Sequence, residues 1–187
     1  MTAVQSPFGG GIVAANLTNL LMPTGALAET FPRIGATTNF VITSGQSVIG
    51  AIPLPAGTKV SNITVCTGIS AETGGTHGWV ALCSAAGTVL GVSADQGATW
   101  LSPGNTLITT ALTAPYTVTA AGTYYVVLGL TATGPPQLCV FTGGAVAGAT
   151  GQTPFLGGNA GISGAPPALS SILTYNSNNN SLYAYVS

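Results

Sequence analysis

The residues that could perform acid–base or nucleophilic chemistry are few and widely spaced in this chain. The single histidine, His77, lies in a glycine-rich run beside Trp79. A Ser–His–acid site would have to combine His77 with Glu72, Asp95 or Glu29, and the sequence has no GxSxG nucleophile elbow. These residues favour a loop histidine next to a packed tryptophan. We therefore assign no catalytic residue and predict that the chain is not an enzyme.

Patterns that bind metals are equally sparse. Asp95 and Gln96 follow a strand-like run, but calcium takes several oxygen ligands and usually more than one carboxylate. We interpret residues 93–97 as a turn in which Asp95 accepts hydrogen bonds from nearby backbone amides. The sequence predicts no metal site and no cofactor.

The three cysteines, Cys66, Cys83 and Cys139, lack the close paired spacing of a thiolate metal site. Each lies in an apolar, strand-like run, where a free cysteine behaves as a small buried hydrophobe. We expect three core cysteines, with a disulfide between Cys66 and Cys83 as the alternative.

Aromatic side chains could form a platform that stacks on sugar rings. Aromatic residues on β-strands are more often core, where each buries a large apolar area. We predict that Trp79 and Tyr124 are core residues and that Trp100 is the best candidate for an exposed aromatic ring. Trp100 is interpreted as a core or subunit contact, with glycan binding as the alternative.

The composition excludes several classes of partner. Only five of the 187 residues are Asp, Glu, Lys or Arg, the net charge is −1, and the mean hydropathy is +0.54. Without a basic cluster there is no electrostatic signature of nucleic-acid binding. No apolar run approaches the roughly 20 residues of a membrane-spanning helix, and no basic segment of a signal peptide opens the chain. We expect no nucleic acid and no membrane as partners, and an assembly or a neutral polar surface instead.

Short strand-like runs separated by turn signals predict an all-β fold, a β-sandwich or jelly roll. The 27 glycines and an equal number of threonines disfavour helix. The strongest strand is predicted at residues 123–130. Residues 78–83 and 88–92 are predicted to form a hairpin around the turn at 84–87.

We divide the chain into two parts. Residues 1–45 show no sustained periodicity and are predicted to be an extended N-terminal arm or contact segment, with a disordered terminus as the alternative. Residues 46–187 are predicted to be the sandwich domain. Within it we expect a Gly/Pro-rich contact loop at 143–167 and a C-terminal hairpin at 168–187.

Several short motifs occur in a fixed order between Ala51 and Ala132, at residues 52–58, 62–64, 76–82, 93–96, 114–119 and 122–125. This ordered run resembles a β-sandwich module in virion structural proteins of tailed bacteriophages that infect actinobacteria. Such proteins are commonly labelled minor tail or minor capsid proteins. The resemblance covers rather less than half of the chain and includes no catalytic residue.

The resemblance implies a non-enzymatic virion protein that is assembled in the bacterial cytoplasm. The expected partners are further copies of the chain, with a trimer as the expected oligomer, and the major capsid or tail proteins. Capsid decoration and a minor tail position are both open. The alternative is a glycan-binding module that contacts the host cell wall through Trp100 and the 143–167 loop.

Overall fold

The computed structural model describes residues 22–98, 100–142, 156–160 and 180–187, with only the backbone described at 37–39 and 156–160. The described part of the chain is all-β, which confirms the predicted fold class. Its regular structure is twelve strands and one 3-10 turn at Arg33–Gly35. Among these residues no helix is long and apolar enough to cross a membrane.

The strands follow one another along the chain with mostly short connections. Their bounds are β1 Ala28–Glu29, β2 Thr37–Val41, β3 Gln46–Leu54, β4 Lys59–Cys66, β5 Thr73–Cys83, β6 Val89–Val92, β7 Leu107–Thr117, β8 Gly122–Gly134, β9 Gln137–Thr142, β10 Leu156–Ala160, β11 Asn180–Leu182 and β12 Ala184–Val186. The predicted hairpin around residues 84–87 is confirmed, because β5 and β6 pair antiparallel and the amide of Gly87 donates to the carbonyl of Ser84.

The strands form three antiparallel sheets. The orders are β10-β3-β8-β5-β6 in the five-stranded sheet, β1-β12-β4-β7 in the four-stranded sheet, and β11-β9-β2 in the three-stranded sheet. The last two are joined by Tyr183, which separates β11 from β12 and donates its amide to the carbonyl of Cys139 at 3.0 Å. β12 lies between β1 and β4.

The main core lies between the five-stranded sheet and the other two sheets. It contains Val126 and Leu128 from β8, Ile63 from β4, and Leu138 and Val140 from β9. Side chains from facing sheets that interdigitate in this way define a sandwich. Burial of these apolar side chains is the main stabilising contribution to the fold.

The five-stranded sheet is apolar on its second face as well. Trp79, Tyr125 and Val127 form a separate buried cluster there, together with Ile49, Ala51, Ala81, Cys83 and Val89. β8 therefore sends alternate residues into two apolar layers, which explains why residues 123–130 read as an unbroken apolar strand. The predicted core positions of Trp79 and Tyr124 are confirmed, with exposed fractions of 0% and 8%.

Part of the predicted arm forms strands of the sheets. β1 pairs with β12, and β2 pairs with β9. Thr30, which follows β1, and Leu182 both lie very close to Gly50 of β3. Glycine is needed there, because a Cβ would lie 2.5 Å from the carbonyl oxygen of Leu182 and 2.8 Å from the Thr30 methyl group. Residues 1–21 lie outside the described residues.

The predicted loop at 143–167 contains a strand. β10, at Leu156–Ala160, pairs antiparallel with β3, and the remainder of the predicted loop lies outside the described residues. Of the predicted C-terminal hairpin, only residues 180–187 are described. In that part β11 pairs with β9 and β12 pairs with β4 and β1, so each strand extends a different sheet.

Candidate functional site

The candidate residues from the sequence gather around the first half of β5. We call this region, made of Glu72, His77, Asp95 and Trp100, the β5 corner. Two of the five charged residues and the only histidine lie there. The loop after β6 approaches β5 because the amide of Gln96 donates to the carbonyl of Gly78 at 2.8 Å.

Trp100 is a partly buried residue packed against the main core. Its indole N–H donates to Oγ1 of Thr110 at 3.0 Å. One region of the ring covers Gly78, where a Cβ would lie 2.5 Å from Cε3 of Trp100. The ring is thus held by a hydrogen bond on one side and by glycine backbone on another. Trp100 thus packs against the core of its own chain and keeps part of its ring exposed.

His77 and Asp95 form an ion pair with a distance of 2.5 Å between Nδ1 and Oδ2. Their side chains are 38% and 29% exposed. The other carboxylate oxygen, Oδ1 of Asp95, accepts the backbone amides of Gly78 at 3.0 Å and Gly97 at 3.1 Å. Asp95 therefore forms the amide-capped turn that the sequence predicts, and it also orients the imidazole.

These contacts determine the ionisation of Asp95. Partial burial disfavours the carboxylate, but the hydrogen bonds from His77, Gly78 and Gly97 outweigh burial and lower the pKa of Asp95. A carboxylate that orients a histidine also occurs in catalytic triads. Here the same carboxylate has a clear structural use: its bonds with His77 and Gly78 fasten the turn to β5, and its bond with Gly97 closes the turn itself.

Glu72 is a buried carboxyl group, only 2% exposed. Its Oε2 accepts the amide of Leu101 at 2.8 Å, while Oε1 has no hydrogen-bond partner among the described residues. Burial raises the pKa of Glu72, although the bond from Leu101 opposes the shift. Gly75 makes room for this carboxyl group, because a Cβ at that position would overlap Oε1. Glu72 thus fixes the residue that follows Trp100.

A second feature was not predicted from the sequence. The outward face of the four- and three-stranded sheets carries apolar and sulfur-containing side chains. We call this surface the outer strip and define it by Phe31, Cys66, Leu107, Cys139, Phe141 and Tyr183. Leu107 and Phe141 are 43% and 45% exposed, whereas Tyr183 is 1% exposed.

The aromatic rings of the outer strip contact one another. The centroid of Phe31 lies 5.8 Å from that of Phe141 and 5.4 Å from that of Tyr183, both in tilted or edge-on geometry. The Tyr183 hydroxyl donates to Oε2 of Glu29 at 3.2 Å. Burial raises the pKa of Glu29 against the opposing effects of Tyr183 and Arg33, and burial together with Glu29 raises the pKa of Tyr183.

The sequence does contain a signal for the outer strip. In Leu138-Cys139-Val140-Phe141, Leu138 and Val140 enter the core, so Cys139 and Phe141 must point outward. A strand that is apolar at consecutive positions therefore presents apolar groups on both faces. The same applies to Val65 and Cys66 at the end of β4.

The positions of the three cysteines exclude the disulfide between Cys66 and Cys83 that was the alternative from the sequence. Cys83 lies in the cluster on the second face of the five-stranded sheet, where burial raises its pKa to about 12. Cys66 lies against Cys139, so the alternative disulfide between Cys66 and Cys83 is wrong. Cys83 is a core residue as predicted, Cys139 is buried but faces the outward side of its sheet, and Cys66 is partly exposed.

No group of three or more His, Cys, Asp or Glu side chains within the described ranges is arranged to hold a metal ion. Comparison of the chain with models of protein families, with curated proteins and with solved structures gives no match.

Proposed function

We propose that this chain is a non-enzymatic structural protein on the surface of a bacteriophage particle. It assembles with copies of itself, with a trimer as the expected oligomer, and contacts the major capsid or tail proteins. Its place is either capsid decoration or a minor tail position. The ordered motifs between Ala51 and Ala132 suggest the virion, and the distribution of exposed apolar side chains supports the assembly.

That distribution is one-sided. Six large apolar side chains are exposed among those that the structure describes: three lie on β2, β7 and β9, one directly precedes β1, two lie in the connections that follow β1 and β4, and none lies on β3, β5, β6 or β8. They are Leu27, Ile34, Val41, Ile69, Leu107 and Phe141, with exposed fractions from 43% to 91%. Scattered apolar residues are normal on a soluble surface, but a concentration on one side is typical of an interaction surface.

The polarity of this side also favours contact with another protein surface. Burying a charged group in an interface is costly unless the group is paired. The charged residues nearest the outer strip are Glu29 and Arg33, and Glu29 already accepts a hydrogen bond from Tyr183. Most of this surface therefore loses little hydration free energy when a partner covers it.

The assembly is tested by native mass spectrometry of the purified full chain. We expect an oligomer, and we expect the double variant Leu107→Thr with Phe141→Ser to shift the population towards monomer. Thr119→Asn is the control, since Thr119 is exposed in the loop between β7 and β8. A wild-type chain that stays monomeric at micromolar concentration would contradict the assembly.

The virion location is tested separately by immunogold electron microscopy of particles from the source lysate. Label over the head supports capsid decoration, and label on the tail supports a minor tail position. Particles without label would contradict the virion proposal, whatever the oligomeric state of the purified chain.

Glycan binding at Trp100 is the alternative function. The observation that favours it is the fixed orientation of a partly exposed indole, because a rigid aromatic ring loses little entropy when a sugar stacks on it. We would test it by titrating host cell-wall polysaccharide against the wild-type chain and Trp100→Ala. Binding that disappears in a folded Trp100→Ala protein supports the alternative, and no binding to the wild-type chain contradicts it.

A further inference from the structure

Cys66 and Cys139 stand directly opposite each other on neighbouring strands. Thr67 forms an antiparallel bridge with Leu138, so the preceding residue on one strand faces the following residue on the other. The amide of Gly68 donates to the carbonyl of Gln137 at 2.7 Å and continues the same register. Both cysteine side chains therefore project from the same, outward face of the sheet.

The two sulfur atoms are in contact. The Sγ atoms lie 2.7 Å apart, and both approach the carbonyl oxygen of Thr67, at 3.6 Å from Cys66 and 3.5 Å from Cys139. Opposed residues in antiparallel strands have Cα atoms about 4.5–5.5 Å apart. Disulfides span Cα separations of about 4.4–6.8 Å, so a bond here requires no separation or shift of the strands.

The contact between the two sulfur atoms also affects how readily each thiol ionises. The hydrogen bond with Cys66 favours the thiolate of Cys139 and lowers its pKa, and the same bond, together with burial, raises the pKa of Cys66. Of the two thiols, Cys139 is therefore the more readily deprotonated. Cys66 is partly exposed at the surface, which gives a small oxidant access to the pair.

We propose that Cys66 and Cys139 are a disulfide-forming site that joins β4 to β9 when the chain meets a small-molecule disulfide. The thiolate of the pair attacks one sulfur of oxidised glutathione, whose S–S bond breaks and releases one glutathione thiolate. The remaining cysteine loses its proton to solvent and attacks the protein sulfur of the mixed disulfide, which releases the second glutathione. Two protein thiols are oxidised and one glutathione disulfide is reduced to two thiols.

This bond would close a long segment of the chain, which contains β5, β6, β7 and β8. It would also fasten the four-stranded sheet to the three-stranded sheet at a position where the described backbone pairing between β4 and β9 is a single bridge. The inference rests on the geometry of the pair, with the ionisation and exposure of the thiols in support, and is independent of the proposed place on a virus particle.

The test is equilibration of the folded full chain with oxidised glutathione, followed by intact mass measurement and peptide mapping. We expect the number of free thiols, counted after denaturation, to fall from three to one, with the loss of two hydrogen atoms and no retained glutathione. The peptides that contain Cys66 and Cys139 should be joined, and dithiothreitol should separate them.

Two variants serve as controls. Cys83→Ala should still form the bond, and its count of free thiols should fall from two to zero. Cys66→Ser should form no internal bond and should retain glutathione on Cys139. A bond that includes Cys83, a disulfide between two chains, or three free thiols after equilibration would overturn the proposal.

Discussion

Trp79 and Gly129 stand opposite each other on β5 and β8, and the indole ring occupies the space that a side chain at position 129 would need. Trp79 is fully buried, and its ring lies directly against the Gly129 backbone. The glycine at 129 is therefore a packing requirement of the second apolar layer.

The first prediction concerns this contact. Gly129→Ala would place a methyl group in overlap with the Trp79 ring and should lower the free energy of unfolding by about 1–3 kcal/mol through overpacking. Gly122→Ala is the matched control in the same strand, because a Cβ there has no atom within 4 Å. Urea denaturation of both variants checks this, and equal effects of the two substitutions would contradict it.

The second prediction concerns Asp95. A carboxyl group with a lowered pKa contributes stability above the pKa it has in the unfolded chain, and this contribution is lost as the pH falls through its folded pKa. We expect Asp95→Ala to cost roughly 1–2 kcal/mol near pH 7, because it removes hydrogen bonds from two backbone amides as well as from His77.

His77→Ala is the companion variant and should cost less than about 1 kcal/mol, since an exposed ion pair contributes little. Chemical denaturation from pH 7 down to about pH 2 should show the effect of Asp95→Ala shrinking once the pH falls below the ordinary aspartate pKa and towards the lower pKa of the folded chain. An effect that does not change with pH would refute the assigned role of the carboxylate.

The third prediction concerns Glu72, whose contribution to stability should depend on pH in the opposite direction to that of Asp95. Burial raises the pKa of Glu72, so its contribution to stability is complete at low pH and is lost as the pH rises through the folded pKa. Glu72→Gln retains an oxygen that can accept the Leu101 amide and cannot ionise. Relative to wild type it should gain about 1.4 kcal/mol between pH 4 and pH 8 for each unit by which the pKa is raised.

Glu72→Ala separates the charge from the hydrogen bond at this position. It should destabilise the protein at every pH, because the buried amide of Leu101 would lose its acceptor. Thermal unfolding of the three proteins at several pH values makes the comparison. A Glu72→Gln variant that loses stability relative to wild type as the pH rises would contradict the prediction.

The fourth prediction concerns salt. Contacts through the outer strip would be mostly apolar, and ionic screening acts on charges. We expect the midpoint concentration for assembly to change less than about threefold between roughly 0.05 and 1 M NaCl. Analytical ultracentrifugation measures it directly. Dissociation at high salt would show that charged residues hold the copies together, with Glu29 and Arg33 as the first to substitute.

Local sequence signals predicted the parts of the fold that local geometry controls. The turn that ends in Gly87, with a φ of 85°, defines the hairpin of β5 and β6. A continuous run of apolar residues, which cover both faces of the strand, defines β8. Asn62 interrupts the alternation of β4, and the pairing with β7 shifts register between Val60 and Asn62. The interruption seen in the sequence therefore coincides with a break in the pairing, where the partner on β7 changes from Tyr116 to Ala111.

Contacts between segments that are far apart in the sequence could not be predicted from these local signals. Cys66 and Cys139 are 73 residues apart, and only the arrangement of β4 beside β9 brings them together. β1 and β10 have little apolar periodicity, and each takes its extended form from one antiparallel partner. For the candidate site, the sequence identified the possible acids for His77, and the fold selects Asp95 while it buries Glu72 beside Leu101.

The position of β12 determines when the fold can be completed during synthesis. This strand fills the space between β1 and β4, so β1 has no neighbour in its sheet until residues 184–186 are available. A ribosome adds about 5–20 residues per second, so β12 is synthesised on the order of ten seconds after β4. During that time the edge of β4 that pairs with β12 has no partner strand. Pairing across such long sequence separations is also slow. The growing chain therefore carries an open strand edge on β4 from the synthesis of β4 until β12 is made, and the four-stranded sheet closes only then.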